Sequence, residues 1–336
     1  MNEERASREL AAMGEALGGL LWVQGPGGNC SVKVGSELWV KASGTRFAEV
    51  ASPAGHVKLP LELAKRALAG DADADREVFQ RSPRPSLETY FHALGADVVA
   101  HTHALGVLLY ACSNAPLAEA RKGYFEIPYV RPGRGIATTI EAAFCEPGVD
   151  GLVCVLRNHG IVAYADTALA AVALTKSFDA RAREAAEKAG PLAAFEPMVA
   201  AYLASPERTF EGGVFRSLPR REAPETNPPR YLFPDAAVCA SIVLTDAIDD
   251  DSAQRALSTI GRALVLVDPQ GARIAVARTS TQLQQTCEVA AAHDWLEDAL
   301  RARGSAHYLD ADEPARILSL PSEQYRMQLA ATKGPL

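Results

Sequence analysis

The amino-acid sequence predicts an α/β protein with a second, smaller α/β domain at its C-terminal end. Two observations support this prediction. Short apolar runs typical of strands alternate with helical periodicity through the N-terminal part of the chain. Five prolines then cluster among charged residues at 218–234, and the alternation restarts beyond them. We therefore expect a first domain at 1–217, a proline-rich linker at 218–234 and a small domain at 235–336.

The strands of the first domain are predicted where apolar residues run or alternate between turn residues, at 30–34, 37–41, the run before His101, 124–130 and 152–156. Gly35 and Ser36 fit a hairpin turn between the first two strands, because glycine readily adopts positive φ. Helical patterns lie before, between and after these strands, at 3–22, 61–69, a segment opened by 83–86, 104–112 and 168–189. The acidic segment DADAD at 71–75 is expected to be a solvated loop.

The small domain shows the same alternation. Apolar runs predict strands at 238–244, 263–267 and 273–277, and 281–303 predicts a long helix. This helix is interpreted as a core helix, with an oligomer interface as the alternative. No residue pattern in 235–336 indicates what this domain does.

Composition excludes several classes of partner. The chain of 336 residues has a formal net charge of −7, with 48% hydrophobic and 22% charged residues. Nucleic acids and anionic membranes require a concentrated positive field, so we expect neither as a partner. No apolar run approaches the ~20 residues of a membrane span, and the N-terminus has no signal-peptide core. The six cysteines form no CxxC pair, which predicts reduced thiols in a cytoplasmic protein.

Two histidines stand two residues apart in VVAHTHA at 98–104. Residues i and i+2 of a strand project from one face, so His101 and His103 can ligate one metal ion. The alternative is an exposed pair without function. His159 follows the buried run 152–156 in RNHG, where Gly160 allows a sharp turn. A histidine at a strand end is more often structural, but if the two strands share a sheet, three histidines predict a catalytic divalent-metal site. The other histidines are interpreted as surface or helix-face residues, namely His56, His92, His293 and His307.

A catalytic metal also needs a carboxylate that moves protons or completes its coordination shell. Glu88 is the best candidate, because it lies at the junction of loop and helix directly before the histidine strand. The alternative is an ordinary first-turn acid that the helix dipole stabilises.

Two loops containing glycine predict a cradle for a phosphate or carboxylate. GPGGNCS offers Gly28 and Asn29, and KASGT offers Ser43 and Gly44. Such loops present backbone N–H groups to anions. The first loop is not a dinucleotide motif, because GxGxxG requires a glycine at Cys30 and the loop precedes strands rather than a helix.

The ordered motifs GGN, SGT, PSLE, HTH and RNHG resemble those of the class II aldolase/adducin family, over about residues 5–215. The resemblance implies an α/β/α sandwich around a mostly antiparallel sheet. It also implies a homo-oligomer, a tetramer or a dimer, with active sites at subunit interfaces. The short sequences PSLET and YVRPG most resemble those of the aldolase half of the fused rhamnulose-phosphate aldolase/dehydrogenases.

The resemblance also implies roles for individual residues. His101, His103 and His159 correspond to the ligands of a divalent metal, most often zinc, with manganese, cobalt or another divalent ion in some members. Glu88 corresponds to the acid/base, which also ligates the ion when substrate is absent. The positions that hold the substrate phosphate correspond to Gly28, Asn29, Ser43, Gly44 and Ser86.

By the same resemblance, the expected reaction is reversible aldol cleavage of a ketose phosphate, or of a related hydroxy-carbonyl compound, through an enediolate held by the metal. Two departures bear on this expectation. Leu87 stands where fuculose-phosphate aldolases have a second serine, and Pro132 stands where they have a catalytic tyrosine. Tyr129 and Arg131 are the candidates to replace that tyrosine. The further alternatives are Tyr124 and Arg134.

Two other functions stay open. A sugar-phosphate 4-epimerase or a dehydratase would use the same site, since both begin from oxygens held by the metal. A non-catalytic, adducin-like binding module would not need the site. The complete set of three histidines and Glu88 argues against the binding module, because such a module has no need of a full ligand set.

Overall fold

The protein is described here by a computed structural model of residues 2–114, 124–144, 152–224, 226 and 228–321. The chain divides into two units by its internal contacts. The first unit comprises Met1–Ala111 and Ala115–Ala189, and the second comprises Cys112–Asn114 and Gly190–Leu336.

The sheet of the first unit contains seven strands within the described residues: β1 (Asn29–Val34), β2 (Glu37–Lys41), β3 (His56–Pro60), β4 (Val98–Thr102), β5 (Tyr124–Ile127), β6 (Leu152–Leu156) and β7 (Gly160–Ala165). Their order across the sheet is β3-β2-β1-β4-β7-β6-β5. Every neighbouring pair is antiparallel except β5 and β6, which are parallel. The predicted, mostly antiparallel sheet is therefore confirmed, and β3 and β7 are strands that were not predicted from the sequence.

Helices cover both faces of this sheet. One face packs against α1 (Asn2–Leu17), and the other against α2 (Leu61–Leu68), α3 (Ala72–Phe79) and α4 (Thr89–His92). The first face also carries α5 (Leu105–Ala111) and α7 (Ala168–Lys188), whereas α6 (Arg134–Ala143) lies on the second. Alternation along β4 explains the two cores, since successive side chains of a strand point to opposite faces. Val98 and Ala100 join one core and Val99 joins the other, which gives the expected α/β/α sandwich.

The acidic segment 71–75 was predicted to be a loop. In the structure it is the beginning of α3. Asp71 is the N-cap residue, and its carboxylate accepts the N–H groups of Asp73 and Ala74, both at 3.0 Å. Asp73 and Asp75 lie in the first turn, where the helix dipole favours negative charge. The prediction was wrong because it took the acidic charges as a sign of solvation alone and overlooked the capping signal.

The second unit has a sheet of its own, with five strands within the described residues: β8 (Arg208–Phe210), β9 (Gly213–Leu218), β10 (Ile242–Leu244), β11 (Leu264–Val267) and β12 (Arg273–Ala277). Their order is β10-β11-β12-β9-β8. The helices of this unit are α8 (Phe195–Ala204), α9 (Pro234–Cys239), α10 (Asp250–Ile260), α11 (Ser280–Arg301) and α12 (Glu313–Leu318). Most of α11 is buried, from Leu283 to Leu296, so it is a core helix of this unit.

The segment just before the proline-rich stretch belongs to the second sheet. β9 pairs with β12 along its length, from Val214 opposite Ala277 to Leu218 opposite Arg273. The two units accordingly divide between Ala189 and Gly190, earlier in the chain than the prolines. As a division into autonomous domains, 1–217, 218–234 and 235–336 stays a prediction.

The cysteines and the helices can be compared with the predictions of reduced thiols and of no membrane span. The described cysteines carry free thiols, and Cys145 lies outside the described residues. Burial raises the pKa of Cys30 and of Cys154 to about 12, so both thiols stay protonated. Within the described residues, every helix is too short or too polar to cross a membrane.

Candidate metal centre

Three histidines converge at one end of the first sheet. His101 lies in β4, His103 follows that strand directly, and His159 lies in the turn between β6 and β7. Because β4 and β7 are antiparallel neighbours, with Thr102 opposite Ile161, the end of one strand meets the start of the other. Each histidine offers a ring nitrogen, and these nitrogens all lie within 4.8 Å of one another. All three side chains are buried, so this cluster could hold a metal ion.

Two glycines allow the backbone to pass close to the histidines. Gly160 has φ +152°, and a Cβ atom there would lie 2.3 Å from the carbonyl oxygen of Thr102. Gly28 has φ +63°, and a Cβ atom there would lie 2.8 Å from the carbonyl oxygen of His101. Larger residues at either position would push against the backbone of the histidine strand. Gly28 is therefore required by packing, whatever it contributes to an anion cradle.

Hydrogen bonding orients His101 for ligation. Its Nδ1 atom lies 2.9 Å from the carbonyl oxygen of Ile161, which can only accept, so Nδ1 carries the proton. Burial, which outweighs the attraction of Glu88, lowers the pKa of His101 to about 3. The ring is therefore neutral near pH 7, and its Nε2 atom presents a lone pair to the cluster. A neutral imidazole of fixed tautomer is the form that ligates a metal.

Glu88 lies next to the same cluster. It is the N-cap residue of α4 and is buried. Its Oε2 atom lies 3.4 Å from His101 Nε2, and its Oε1 atom lies 3.4 Å from His159 Nε2. Burial by itself would raise the pKa of the Glu88 carboxyl, but the three imidazoles and a hydrogen bond from Asn29 hold it below its ordinary value. Glu88 is therefore a carboxylate near pH 7.

This set of atoms fits a divalent cation. The Nε2 atoms of His101 and His103 lie 3.1 Å apart, and Glu88 Oε2 adds a third acceptor beside them. Lone pairs this close require a shared proton or a cation between them. Imidazole nitrogens and one carboxylate are ligands that zinc and related divalent ions take in catalytic sites.

Asn29 and Ser86 lie beside Glu88. The Asn29 Nδ2 atom donates to Glu88 Oε2 at 2.7 Å and to Ser86 Oγ at 3.1 Å. Ser86 Oγ also accepts the backbone N–H of Glu88 at 3.3 Å. The structure thus brings two of the predicted phosphate-binding residues into contact with the predicted acid/base. Their role toward a phosphate stays a prediction.

The KASGT loop contacts the segment that precedes Glu88. Ser43 N–H donates to the carbonyl oxygen of Arg84 at 2.8 Å, and Ser86 N–H donates to the carbonyl oxygen of Lys41 at 3.0 Å. These bonds align the KASGT segment with the segment that leads to Glu88. Gly44 is exposed, with φ +79°, and a Cβ atom there would meet open space. The loop therefore presents its backbone to solvent beside Ser43, and its binding of an anion stays a prediction.

The candidates for the missing tyrosine follow β5. This strand is parallel to β6, and its last carbonyl, that of Ile127, accepts the N–H of Arg157 at 3.0 Å. Tyr129 and Arg131 therefore leave the sheet at the same end as His159, and both are half-buried. Their participation in catalysis stays a prediction. Of the alternatives, Arg134 forms an ion pair with Asp75 at 2.9 Å, and Tyr124 stacks against Phe178.

His92, a buried residue beside this site, was not predicted from the sequence. Two of the histidines interpreted as surface or helix-face residues do lie on helices but are buried, His92 on α4 and His293 on α11. Burial, with smaller contributions from His101 and Lys33, lowers the pKa of His92 well below its ordinary value. The available signal was its spacing, since residues four apart in a helix share a face and His92 is four residues beyond Glu88.

Comparison with known proteins identifies the family to which residues 8–186 are similar. The model of the class II aldolase and adducin N-terminal domain family matches residues 8–186. Among solved structures, the N-terminal class II aldolase domain of a conserved protein from Thermoplasma acidophilum is 27% identical. The match covers 55% of this chain and 93% of that chain, with a TM-score of 0.47. YgbL from Klebsiella pneumoniae is 20% identical, covering 55% and 89%, with a TM-score of 0.41.

A third solved structure is L-fuculose-1-phosphate aldolase from Thermus thermophilus. It is 21% identical, and the match covers 52% of this chain and 92% of that chain, with a TM-score of 0.37. The comparison with curated proteins gives no match. The family match therefore rests on the first unit, which contains the histidine cluster.

Proposed function

The chain belongs to the class II aldolase and adducin family, and on that premise we propose that it is a divalent-metal-dependent lyase. The proposed reaction is reversible aldol cleavage of a ketose phosphate or a related hydroxy-carbonyl compound. One observation carries the proposal: both carboxylate oxygens of Glu88 lie 3.4 Å from imidazole nitrogens of the buried histidine cluster. A proton carrier thus adjoins the place where a cation would polarise a substrate.

The metal would be held by His101, His103 and His159, with Glu88 as a further ligand in the absence of substrate. Zinc is the first choice, and manganese or cobalt is next. When bound, the cation supplies Lewis-acid polarisation of the substrate's carbonyl and hydroxyl oxygens. The buried surroundings favour this role, because charge interactions are stronger where water is excluded.

Glu88 would move the proton. Its Oε2 atom is engaged by the Asn29 amide, whereas Oε1 accepts no hydrogen bond from any described residue. Oε1 is therefore the atom that takes the hydroxyl proton of the substrate. As the adjacent carbon–carbon bond breaks, the hydroxyl oxygen becomes the carbonyl oxygen of the released aldehyde. The electron pair of the broken bond goes to the ketone fragment, and a proton returns to that carbon.

The remaining predicted residues would hold the substrate. The backbone around Gly28 and Gly44 and the side chains of Asn29, Ser43 and Ser86 would bind its phosphate. Tyr129 or Arg131 would assist at the aldehyde end, where the family tyrosine is replaced. The partners are then a small sugar phosphate and further copies of the chain, which we propose form a tetramer or a dimer in the cytoplasm.

Elemental analysis tests the metal site. We expect about one divalent ion per chain when the protein is purified without chelators, and loss of that ion in His101→Ala. A wild-type chain that neither carries a metal nor takes one up on incubation would contradict the proposal. In that case the non-catalytic binding module becomes the better account.

Product analysis tests the reaction. The metal-loaded chain is incubated with a panel of ketose 1-phosphates, and the products are resolved by mass and NMR. Two fragments, a three-carbon ketone phosphate and an aldehyde, are expected. A single product of unchanged mass would instead indicate epimerisation, and the loss of one water would indicate dehydration.

A further inference from the structure

A chain of buried hydrogen bonds leads from Glu88 to His92. The amide of Asn29 donates to Glu88 Oε2 at 2.7 Å, and its oxygen is bonded to His92 Nε2. On the other side of the ring, His92 Nδ1 lies 2.8 Å from Ser31 Oγ. All four side chains are buried, and the His92 side chain has no exposed surface. His92 is thus connected to the proposed acid/base through a single intervening residue.

The register of the strands explains this arrangement. Asn29 lies directly opposite His101 in the β1–β4 pair, so both side chains project from one face of the sheet. Ser31, two residues further along β1, projects from the same face. α4 packs on that face with Glu88 at its N-cap and His92 in its turn. The helix thereby places one ring nitrogen at Asn29 and the other at Ser31.

The chemistry of the amide fixes the direction of each bond. The oxygen of Asn29 can only accept, so His92 Nε2 carries a proton and donates it. The neutral ring then accepts the Ser31 hydroxyl at Nδ1. Because the amide oxygen is engaged by His92, the amide must present its NH₂ group to Glu88. A rotated amide would instead set its oxygen against Glu88 Oε2, where two acceptors would face each other, so the Glu88 carboxylate itself favours the orientation in which the amide oxygen is left for His92.

We propose that His92 is a positioning residue of the metal centre, which acts through the Asn29 amide to hold the Glu88 carboxylate against the three histidines. This inference rests on the proposed function, since it assigns His92 a role in a site that binds a metal. His92 contacts neither metal nor substrate. Its effect is to keep Oε2 engaged and Oε1 directed at the cluster.

A cycle of variants tests this coupling through cobalt affinity. We expect His92→Phe, which retains a ring beside Phe91, to weaken Co²⁺ binding about tenfold, as outer-shell partners of metal ligands commonly do. Glu88→Gln should weaken Co²⁺ binding at least as much. The double variant should bind no more weakly than Glu88→Gln alone, because His92 acts only through Glu88. Additive losses would overturn the inference, since a merely structural His92 would weaken binding independently of Glu88.

Two further variants serve as controls. His92→Gln retains an N–H donor for the Asn29 oxygen and should recover most of the lost Co²⁺ affinity. Ser31→Ala removes only the far hydrogen bond and should have a smaller effect than His92→Phe. Circular dichroism and the melting temperature establish that each variant is folded. Failure of His92→Gln to recover affinity in a folded protein would count against the inference.

The ring of His92 can also be observed without metal. Nitrogen-15 NMR of histidine-labelled, metal-free protein distinguishes the two neutral tautomers, and we expect the proton of His92 on Nε2. A proton on Nδ1 would overturn the inference, because the Asn29 oxygen would then lack its donor. A wild-type chain that binds no Co²⁺ would contradict the proposed function instead, and the tautomer of His92 would then decide the inference by itself.

Discussion

Each unit of the molecule places a histidine beside other metal-ligating side chains, but the two clusters differ in what surrounds them. In the second unit, His293, Asp294 and Glu297 offer atoms within 4.8 Å of one another, as the three histidines of the first unit do. Asp294 Oδ2, however, already accepts Arg273 Nη1 at 2.7 Å and the hydroxyl of Tyr202. The charge of the second cluster is therefore compensated by protein donors.

The carboxylate of the first cluster has different neighbours. Among the described residues, Glu88 has no arginine or lysine as an ion-pair partner. Its Oε2 atom accepts the Asn29 amide at 2.7 Å, and each of its oxygens lies 3.4 Å from an imidazole nitrogen. A carboxylate that only neutral groups contact keeps its negative charge available to a cation, whereas a carboxylate held by a guanidinium does not. Ligand types at the right spacing do not by themselves define a metal site. Whether the carboxylate among them is already paired with a cationic side chain also matters.

The largest difference is expected in metal content. His103→Ala should lose the bound divalent ion and with it all turnover, because two histidines hold a catalytic ion poorly. His293→Ala is the matched control and should retain the wild-type metal content, since its cluster is already satisfied by arginine. Elemental analysis of both variants decides the matter. Retained stoichiometric metal in His103→Ala would contradict the assignment of the first cluster.

The second largest difference is expected in turnover, when a glutamate of each cluster is replaced by glutamine. Glu88→Gln keeps the shape of the side chain but cannot carry a proton, so kcat should fall by about 10²–10⁴. Glu297→Gln, whose carboxylate accepts the hydroxyl of Tyr308 at 2.9 Å, should leave kcat close to wild type. Steady-state kinetics of the metal-loaded variants measures both. Unchanged kcat in Glu88→Gln would show that Glu88 does not carry the proton and is only the residue at the start of the helix.

For stability, by contrast, we expect the larger effect in the second unit. Asp294→Ala leaves the guanidinium of Arg273, which is 4% exposed, without its buried partner, and should lower the free energy of unfolding by about 3–5 kcal/mol. Glu184, which pairs with Lys188 on the exposed surface of α7, provides the control, and Glu184→Ala should change stability little. Urea unfolding gives both values. Equal stability of the two variants would show that the second cluster is not a structural ion pair.

Asp294 should also shape the acid stability of the protein. Burial alone would raise the pKa of Asp294, but the Arg273 guanidinium, with His293 and Arg221, holds it well below its ordinary value. The unfolded chain takes up this proton near pH 4 and the folded chain only at lower pH. The stabilisation is thus present above about pH 4 and is lost as pH falls through the folded pKa.

The matching variant is Asp294→Asn, which removes the titrating group. Between pH 5 and 3, the free energy of unfolding of the wild type should fall more steeply than that of Asp294→Asn. Urea unfolding across this range measures the two slopes, to which the other carboxylates contribute equally. Parallel slopes would mean that Asp294 titrates alike in the folded and unfolded chains.

Local patterns were enough to predict that the three histidines and Glu88 lie together. The spacing of His101 and His103 depends only on the alternation of a strand, and the His159 turn depends on a glycine whose position allows no side chain. Glu88 was found from its place before the histidine strand. Each of these signals lies within a few residues of the chain.

Features that depend on pairing between distant segments were not predictable in the same way. His92 acts through Asn29, 63 positions away, and only the register of β1 with β4 makes them neighbours. β9 was likewise missed because its partner, β12, lies beyond the proline-rich stretch. A short strand has little pattern of its own, so its identity comes from the strand beside it.

The smallest expected effect concerns the anion cradle of the first unit. Ser43→Ala removes one hydroxyl from a loop that faces solvent, and should raise KM for a phosphorylated substrate by about tenfold while leaving KM for its unphosphorylated analogue nearly unchanged. Thr45→Val is the matched control, because the Thr45 hydroxyl already donates to the carbonyl oxygen of Ala42 at 2.9 Å within the same loop. It should affect both substrates alike. Equal effects of Ser43→Ala on the two substrates would show that the loop does not bind phosphate, and the proposed substrate would then be an unphosphorylated hydroxy-carbonyl compound.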